Sequence, residues 1–185
     1  DSIIYHKERE LYGLYHAKKA IAKEDCVYMV EGYTDVISMH QCGIENVVAN
    51  SGTALSIHQI RLLHRFTSNI VLLYDGDAAG VHAALRGTDM LLEEEMNVKV
   101  LLLPDGNDPM EFITAHGGEA LQARIDAAEP LMDFVYRSLQ ESSDITTPGG
   151  RAKALEDALT LIYPLRDSYM IDTYFIQIAD LLGLD

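Results

Sequence analysis

The chain has no tryptophan, two cysteines, five prolines and only 14 lysines and arginines among 185 residues. Each shortage excludes something. Cys26 and Cys42 lack the spacing of a zinc site or a disulfide framework, and they sit in apolar stretches, so they read as reduced core thiols of a cytosolic protein. No apolar run approaches the roughly 18 residues of a membrane span. Asp1 to Arg9 is polar and mixed in charge, so no signal peptide is expected. Against 29 acids the net charge is −15, which argues against a simple DNA-binding module with a basic face. Acids scattered over the surface would be only a solvated shell, whereas acids gathered on one edge would call for cations, and divalent cations recruit phosphates.

What is abundant is apolar side chain, at 48% of residues, enough for a packed core rather than a disordered chain. Residues 8–23 read as a helix with Leu11, Leu14, Ala17 and Ile21 near helical spacing. Apolar strands are expected at 26–30, 46–49, 70–74 and 98–103. Between them come a helix over 35–41, the loop Ser51-Gly52-Thr53, a helix capped by Ser56 with Ile57, Ile60 and Leu63 on one face, and a helix with Val81, Ala84, Leu85, Thr88 and Leu92 on one stripe. Continuous apolar strands alternating with helices predict a parallel α/β sheet. After about Ile113 the alternation stops. One helix then carries Leu131, Phe134, Val135 and Leu139 in phase, another Leu155, Ala158, Leu159 and Ile162, and a last one runs over 168–182. Ser142 to Gly150 reads as a loop.

Three of the four expected strands end in carboxylates: Glu31 with Asp35 one helical turn on, Asp75-Gly76-Asp77, and Asp105 with Asp108 close behind. In a parallel sheet these six groups share the edge where α/β proteins bind ligands. Clustered carboxylates must be protonated or neutralised by cations, and magnesium suits a few carboxylates completed by waters and substrate phosphates. Taken one at a time, Asp-Gly is an ordinary turn pair and Asp a good helix cap. Taken together, three acidic strand ends favour a metal site. Two other acidic-loop patterns fit less well. An aspartyl-nucleophile phosphatase places its motif near the N-terminus and usually follows it with Thr or Val, where Ala78-Ala79 stands here. A receiver-like domain needs a late strand-end Lys, which 100–104 lacks. His6, His40, His58, His64, His82 and His116 form no ligand pattern.

Glu31 after one strand and Asp75-Gly76-Asp77 after another resemble the Toprim fold. The longer words Glu31-Gly32-Tyr33-Thr34-Asp35-Val36, Ser51-Gly52-Thr53-Ala54-Leu55, Tyr74-Asp75-Gly76-Asp77-Ala78-Ala79-Gly80 and Leu103-Pro104-Asp105-Gly106-Asn107-Asp108-Pro109 resemble bacterial DnaG-type primases in order and spacing. So does the lead-in Leu11-Tyr12-Gly13-Leu14-Tyr15. The resemblance covers essentially the whole chain and implies a lead-in segment over 1–25, a Toprim catalytic domain over 26–116 and a small all-α helical subdomain over 117–185. It implies that Glu31 is the catalytic acid, that Asp35, Asp75, Asp77, Asp105 and Asp108 bind metal, and that Lys7, Lys18 and Lys19 guide template or nucleotide. Lysines on a helix are also commonly just solvated. Met110 stands where the family often has a further acid, with Glu111 next to it.

The implied activity is synthesis of RNA primers on single-stranded DNA from ribonucleoside triphosphates, with two or more Mg2+ or Mn2+ ions, in the bacterial cytoplasm at the replication fork. The alternative is a non-catalytic, metal-dependent nucleic-acid or partner-binding module. The chain is expected to be a fragment, with zinc confined to a domain absent here and the replicative helicase met through an absent C-terminal domain.

Overall fold

The computed structural model describes residues 4–50, 55–75, 88–163 and 170–184. Asp77, the loop Ser51-Gly52-Thr53 and the stripe positions Val81, Ala84 and Leu85 lie outside the described residues. The chain divides into two compact units, Asp1–Ala128 and Glu129–Asp185.

The first unit is the expected parallel sheet. Its strands are β1 (Val27–Val30), β2 (Val47–Ala49), β3 (Asn69–Asp75) and β4 (Asn97–Leu103), lying in the order β2-β1-β3-β4. All three pairings are parallel, with Met29 beside Leu72 and Asp75 beside Leu103. Ile70, Val71, Leu72 and Leu73 are all buried, as the continuous apolar run requires of a strand covered on both faces. On one face, Val71, Leu73, Leu101 and Leu103 pack with Val36 and Met39 of α2 (Tyr33–Gln41), Phe112 of α5 (Pro109–His116), and Leu121 and Ile125 of α6 (Gly118–Asp126). Buried on α1 (Leu14–Glu24) are Ala17 and Ile21, on α3 (Ile57–His64) Ile60 and Leu63, and on α4 (Thr88–Glu93) Leu91 and Leu92. Each fully buried Ile or Leu contributes about 1.5–3 kcal/mol.

The expected lead-in helix over 8–23 is shorter. Lys7–Arg9 form a single 3-10 turn, and Tyr12 pairs with Ala49 through a short antiparallel bridge. Gly13, in a left-handed conformation at φ 84°, interrupts the helix; a Cβ there would lie 3.0 Å from Val36 Cγ1, so close packing also requires glycine. The thiols are not both core groups. Cys42 is exposed at the end of α2, while Cys26 is half-buried and its pKa is raised to about 11, chiefly by burial, so it stays protonated.

The second unit opens on a two-residue strand, β5 (Glu129–Pro130), and holds α7 (Leu131–Ser142), α8 (Pro148–Ile162) and α9 (Met170–Leu182). Leu131, Phe134, Val135 and Leu139 are buried, as their phase predicts. On α8 Ala158 and Ile162 are buried as expected, but Ala154 completes the stripe while Leu155 is half-buried and Leu159 exposed. The expected loop over 142–150 ends early because its turn formers start a helix. The Thr147 hydroxyl caps Gly150 N–H at 3.1 Å, and Pro148 takes the first turn, where its missing N–H costs nothing. Among the described residues no helix is long and apolar enough to cross a membrane.

Candidate functional site at the acidic sheet edge

Because β1, β3 and β4 are parallel, Glu31, Asp75 and Asp105 all stand where strands stop, on one edge. Glu31 is exposed in the bend that leaves β1, immediately before α2. Asp75 is the last residue of β3 and is half-buried. By the two-residue alternation of a strand it shares the face of Val71 and Leu73, which is the α2 and α5 face.

Asp35 is the unusual member. It lies in the first turn of α2 and is only 5% exposed. Its Oδ1 accepts the Met110 N–H at 3.2 Å, so the start of α5 docks on it. A Cβ at Gly32 would come within 3.2 Å of its other oxygen, so the glycine leaves room for the carboxylate. The Asp35 pKa is raised to about 6, chiefly by burial with help from the negative charges of Asp108 and Asp75, and against hydrogen bonds from the Met110 and Gly32 backbone that lower it. The sequence placed Asp35 at this edge, but nothing in its spacing revealed that the carboxylate is buried.

Asp108 serves two ends. It caps α5, accepting the Glu111 N–H at 2.7 Å while the Glu111 carboxylate accepts the Asp108 N–H at 3.1 Å. It also raises the Asp35 pKa, which places it in the same electrostatic neighbourhood. The cap reading of this residue holds, and capping leaves its charge in reach of Asp35. The acid beside Met110, Glu111, closes the capping box and is held at the helix start. Asp105 is exposed in the turn Pro104–Gly106 at φ 62° and ψ 20°, a left-handed conformation that Asp tolerates better than most residues.

The three lysines differ. Lys7 lies exposed in the lead-in turn. Lys18 sits over the Tyr15 ring at 4.7 Å, and Lys19 is exposed beside it on α1. Tyr12 of the lead-in touches Tyr33, two residues after Glu31, with ring centroids 5.8 Å apart.

The donor set is carboxylate oxygen alone, which suits a hard divalent cation and not zinc. The charges of Asp108 and Asp75 add to the burial that disfavours ionisation of Asp35, an electrostatic condition that a cation relieves. Among the described residues no three candidate ligands stand close enough to form a closed cage.

The chain is similar to known proteins along its whole length. A family model described as Toprim-like matches residues 28–113, and one described as the DnaB-helicase binding domain of primase matches residues 132–185. The DNA primase of Escherichia coli strain K12 is 41% identical over 162 residues, covering 86% of this chain and 28% of that protein. A DNA primase domain from Pseudomonas aeruginosa superposes with a TM-score of 0.89 at 34% identity, covering all of this chain and 59% of that one. A DnaG primase catalytic domain bound to single-stranded DNA superposes with a TM-score of 0.87 at 36% identity, again covering all of this chain and 59% of the other. The chain spans less than a third of the length of the curated relatives it matches.

Proposed function

Because this chain belongs to the DnaG-type bacterial DNA primase family, as part of its catalytic core, we propose that it carries the acidic half of an active site that synthesises RNA primers on single-stranded DNA in the bacterial cytoplasm. The observation that carries the reading is the parallel sheet that brings Glu31, Asp75 and Asp105 to one edge, with Asp35 and Asp108 beside Asp75 in charge.

The reaction joins a primer 3′-hydroxyl oxygen to the α-phosphorus of a ribonucleoside triphosphate and breaks the bond to pyrophosphate, which leaves. Bound Mg2+ or Mn2+, two or more ions, would orient the triphosphate and neutralise charge that grows as the bond breaks. Asp75, Asp77, Asp105, Asp108 and Asp35 would hold those ions. Asp35 does so only after giving up its proton, so its elevated pKa ties ion binding to pH. Glu31, exposed on the loop just beyond β1, is left to act at the reacting phosphate, where it can take the hydroxyl proton. Lys7, Lys18 and Lys19 are proposed to hold template or nucleotide. Zinc has no place in this chain's own donor set.

The helical unit has a separate task. The description of the model matching 132–185 supports contact with the replicative helicase. The sequence alone had placed that contact in a further C-terminal domain; the match favours a share of it for this segment. Exposed Phe175 and Ile176 on α9 are apolar groups of the kind a partner covers.

The test is primer synthesis across a metal titration in the full-length enzyme. Glu31→Gln should lower kcat about a hundredfold or more with metal affinity little changed. Asp77→Asn should weaken metal binding first, and excess Mn2+ should restore part of the rate. A fully active Glu31→Gln enzyme would remove the catalytic assignment and leave a binding module.

A further inference from the structure

We propose that a second, basic site on the first unit binds the phosphates of a single-stranded DNA strand. It is an open cavity of about 400 Å3 lined by Arg9, His58, Arg61, Leu62 and Arg65. It gathers three arginines and a histidine on a chain whose net charge is −15. Like charges held together repel, so a built cluster of this kind calls for an anion.

The cluster is held in place by the fold. His58, Arg61 and Arg65 follow helical spacing on and just beyond α3, and His58, Arg61 and Arg65 are exposed. Arg9 is brought to them by a buried anchor. The Gln59 side chain is fully buried; its Nε2 donates to Lys7 O at 3.0 Å and to Glu10 O at 2.7 Å, and its Oε1 accepts the Ser56 N–H at 3.0 Å. The Ser56 hydroxyl donates to Glu8 O. Carbonyls on both sides of Arg9 are thus tied to α3. Arg61 already pairs with Glu94 at 3.0 Å, whereas Arg9 and Arg65 form no ion pair among the described residues.

The direction of α3 gives the cluster a use. The helix follows β2 and precedes β3, two strands that run parallel, so it returns from the acidic edge toward the edge where strands begin. His58 lies nearer the acidic edge and Arg65 farther from it. A polyanion lying along this face would run toward the carboxylates without crossing them. Arginine forks suit phosphate oxygens, and backbone contacts of this kind hold a strand without reading its sequence. The inference rests on reading the chain as part of a primer-synthesising core.

The experiment is fluorescence anisotropy of a labelled oligo-dT with the purified chain over a salt series, for wild type, Arg9→Ala/Arg65→Ala and Arg9→Lys/Arg65→Lys. Loss of two phosphate contacts should weaken binding about tenfold or more at low salt and reduce the slope of log K against log salt by about 1.4. The lysine pair should keep most of both. Unchanged affinity and slope in the alanine pair overturn the proposal, as does a wild-type chain that binds no oligo-dT. If inorganic pyrophosphate binding is lost in the alanine pair while DNA binding is kept, the cavity takes free phosphate and the strand assignment fails. Mn2+ binding measured on the same proteins separates the outcomes, because the acidic-edge reading predicts no change there.

Discussion

Where the parallel strands begin, Asp25, Thr67, Asn69 and Asn97 satisfy one another, and Asn46 satisfies the Cys26 carbonyl. The Thr67 hydroxyl donates to Asp25 at 2.9 Å, the Asn69 amide reaches the Asp25 carbonyl at 2.9 Å, the Asn97 amide reaches Asn69 at 3.1 Å, and the Asn46 amide reaches the Cys26 carbonyl at 2.9 Å. Where the strands stop, Asp35 is buried with Asp108 and Asp75 as its charged neighbours, and burial first and those charges next push up its pKa. Both ends are polar, but only one is complementary. Hydrogen-bonded polar groups at a strand start stabilise the fold; like charges at a strand end work against it and persist where a ligand supplies the opposite charge. The proposed metal site at the acidic edge would account for this difference within one sheet.

Asp35→Asn tests the repulsive edge and should give the larger effect on stability. The wild-type carboxyl, whose pKa is raised to about 6 in the fold, binds more protons folded than unfolded between its ordinary value of 3.8 and that point. The folded protein without metal therefore loses stability as pH rises through this window and regains it on acidification. The variant should gain on wild type by on the order of 2 kcal/mol between pH 4 and pH 7. Urea denaturation at both pH values measures it, and a constant difference between the two proteins would contradict the buried, repelled carboxylate. Acidification through pH 6 should also weaken metal binding in wild type.

Thr67→Val tests the complementary edge. Thr67 is 4% exposed, donates to Asp25 and accepts the Asn69 N–H at 3.1 Å. Removing its hydroxyl leaves those partners unmatched and should cost about 1–2 kcal/mol at every pH near neutrality, with Mn2+ affinity unchanged. A loss of metal affinity in this variant would break the separation between the two edges.

Much of this was legible in the sequence because it depended on local pattern. Four apolar runs gave four strands within a residue or two, and the acids at their ends followed from position alone. What depended on packing was not legible. The first helix starts only at Leu14, after a left-handed Gly13 packed against Val36, Asp35 is buried because α5 docks over it, and Thr147-Pro148 starts a helix that its turn formers disguised. His58, Arg61 and Arg65 carry a readable helical spacing, but Arg9 joins them through ties from Ser56 and the buried Gln59 that the sequence does not reveal. The order β2-β1-β3-β4 also belongs to packing, since the run of strands along the chain does not set their neighbours.

The central claim is that the strand-end carboxylates form a divalent-metal site. Calorimetric titration of Mn2+ into wild type and Asp75→Asn at neutral pH tests it most directly. Wild type should bind measurably and the variant at least about tenfold more weakly, since metal affinity follows its carboxylate donors. Equal binding by the two proteins would contradict it.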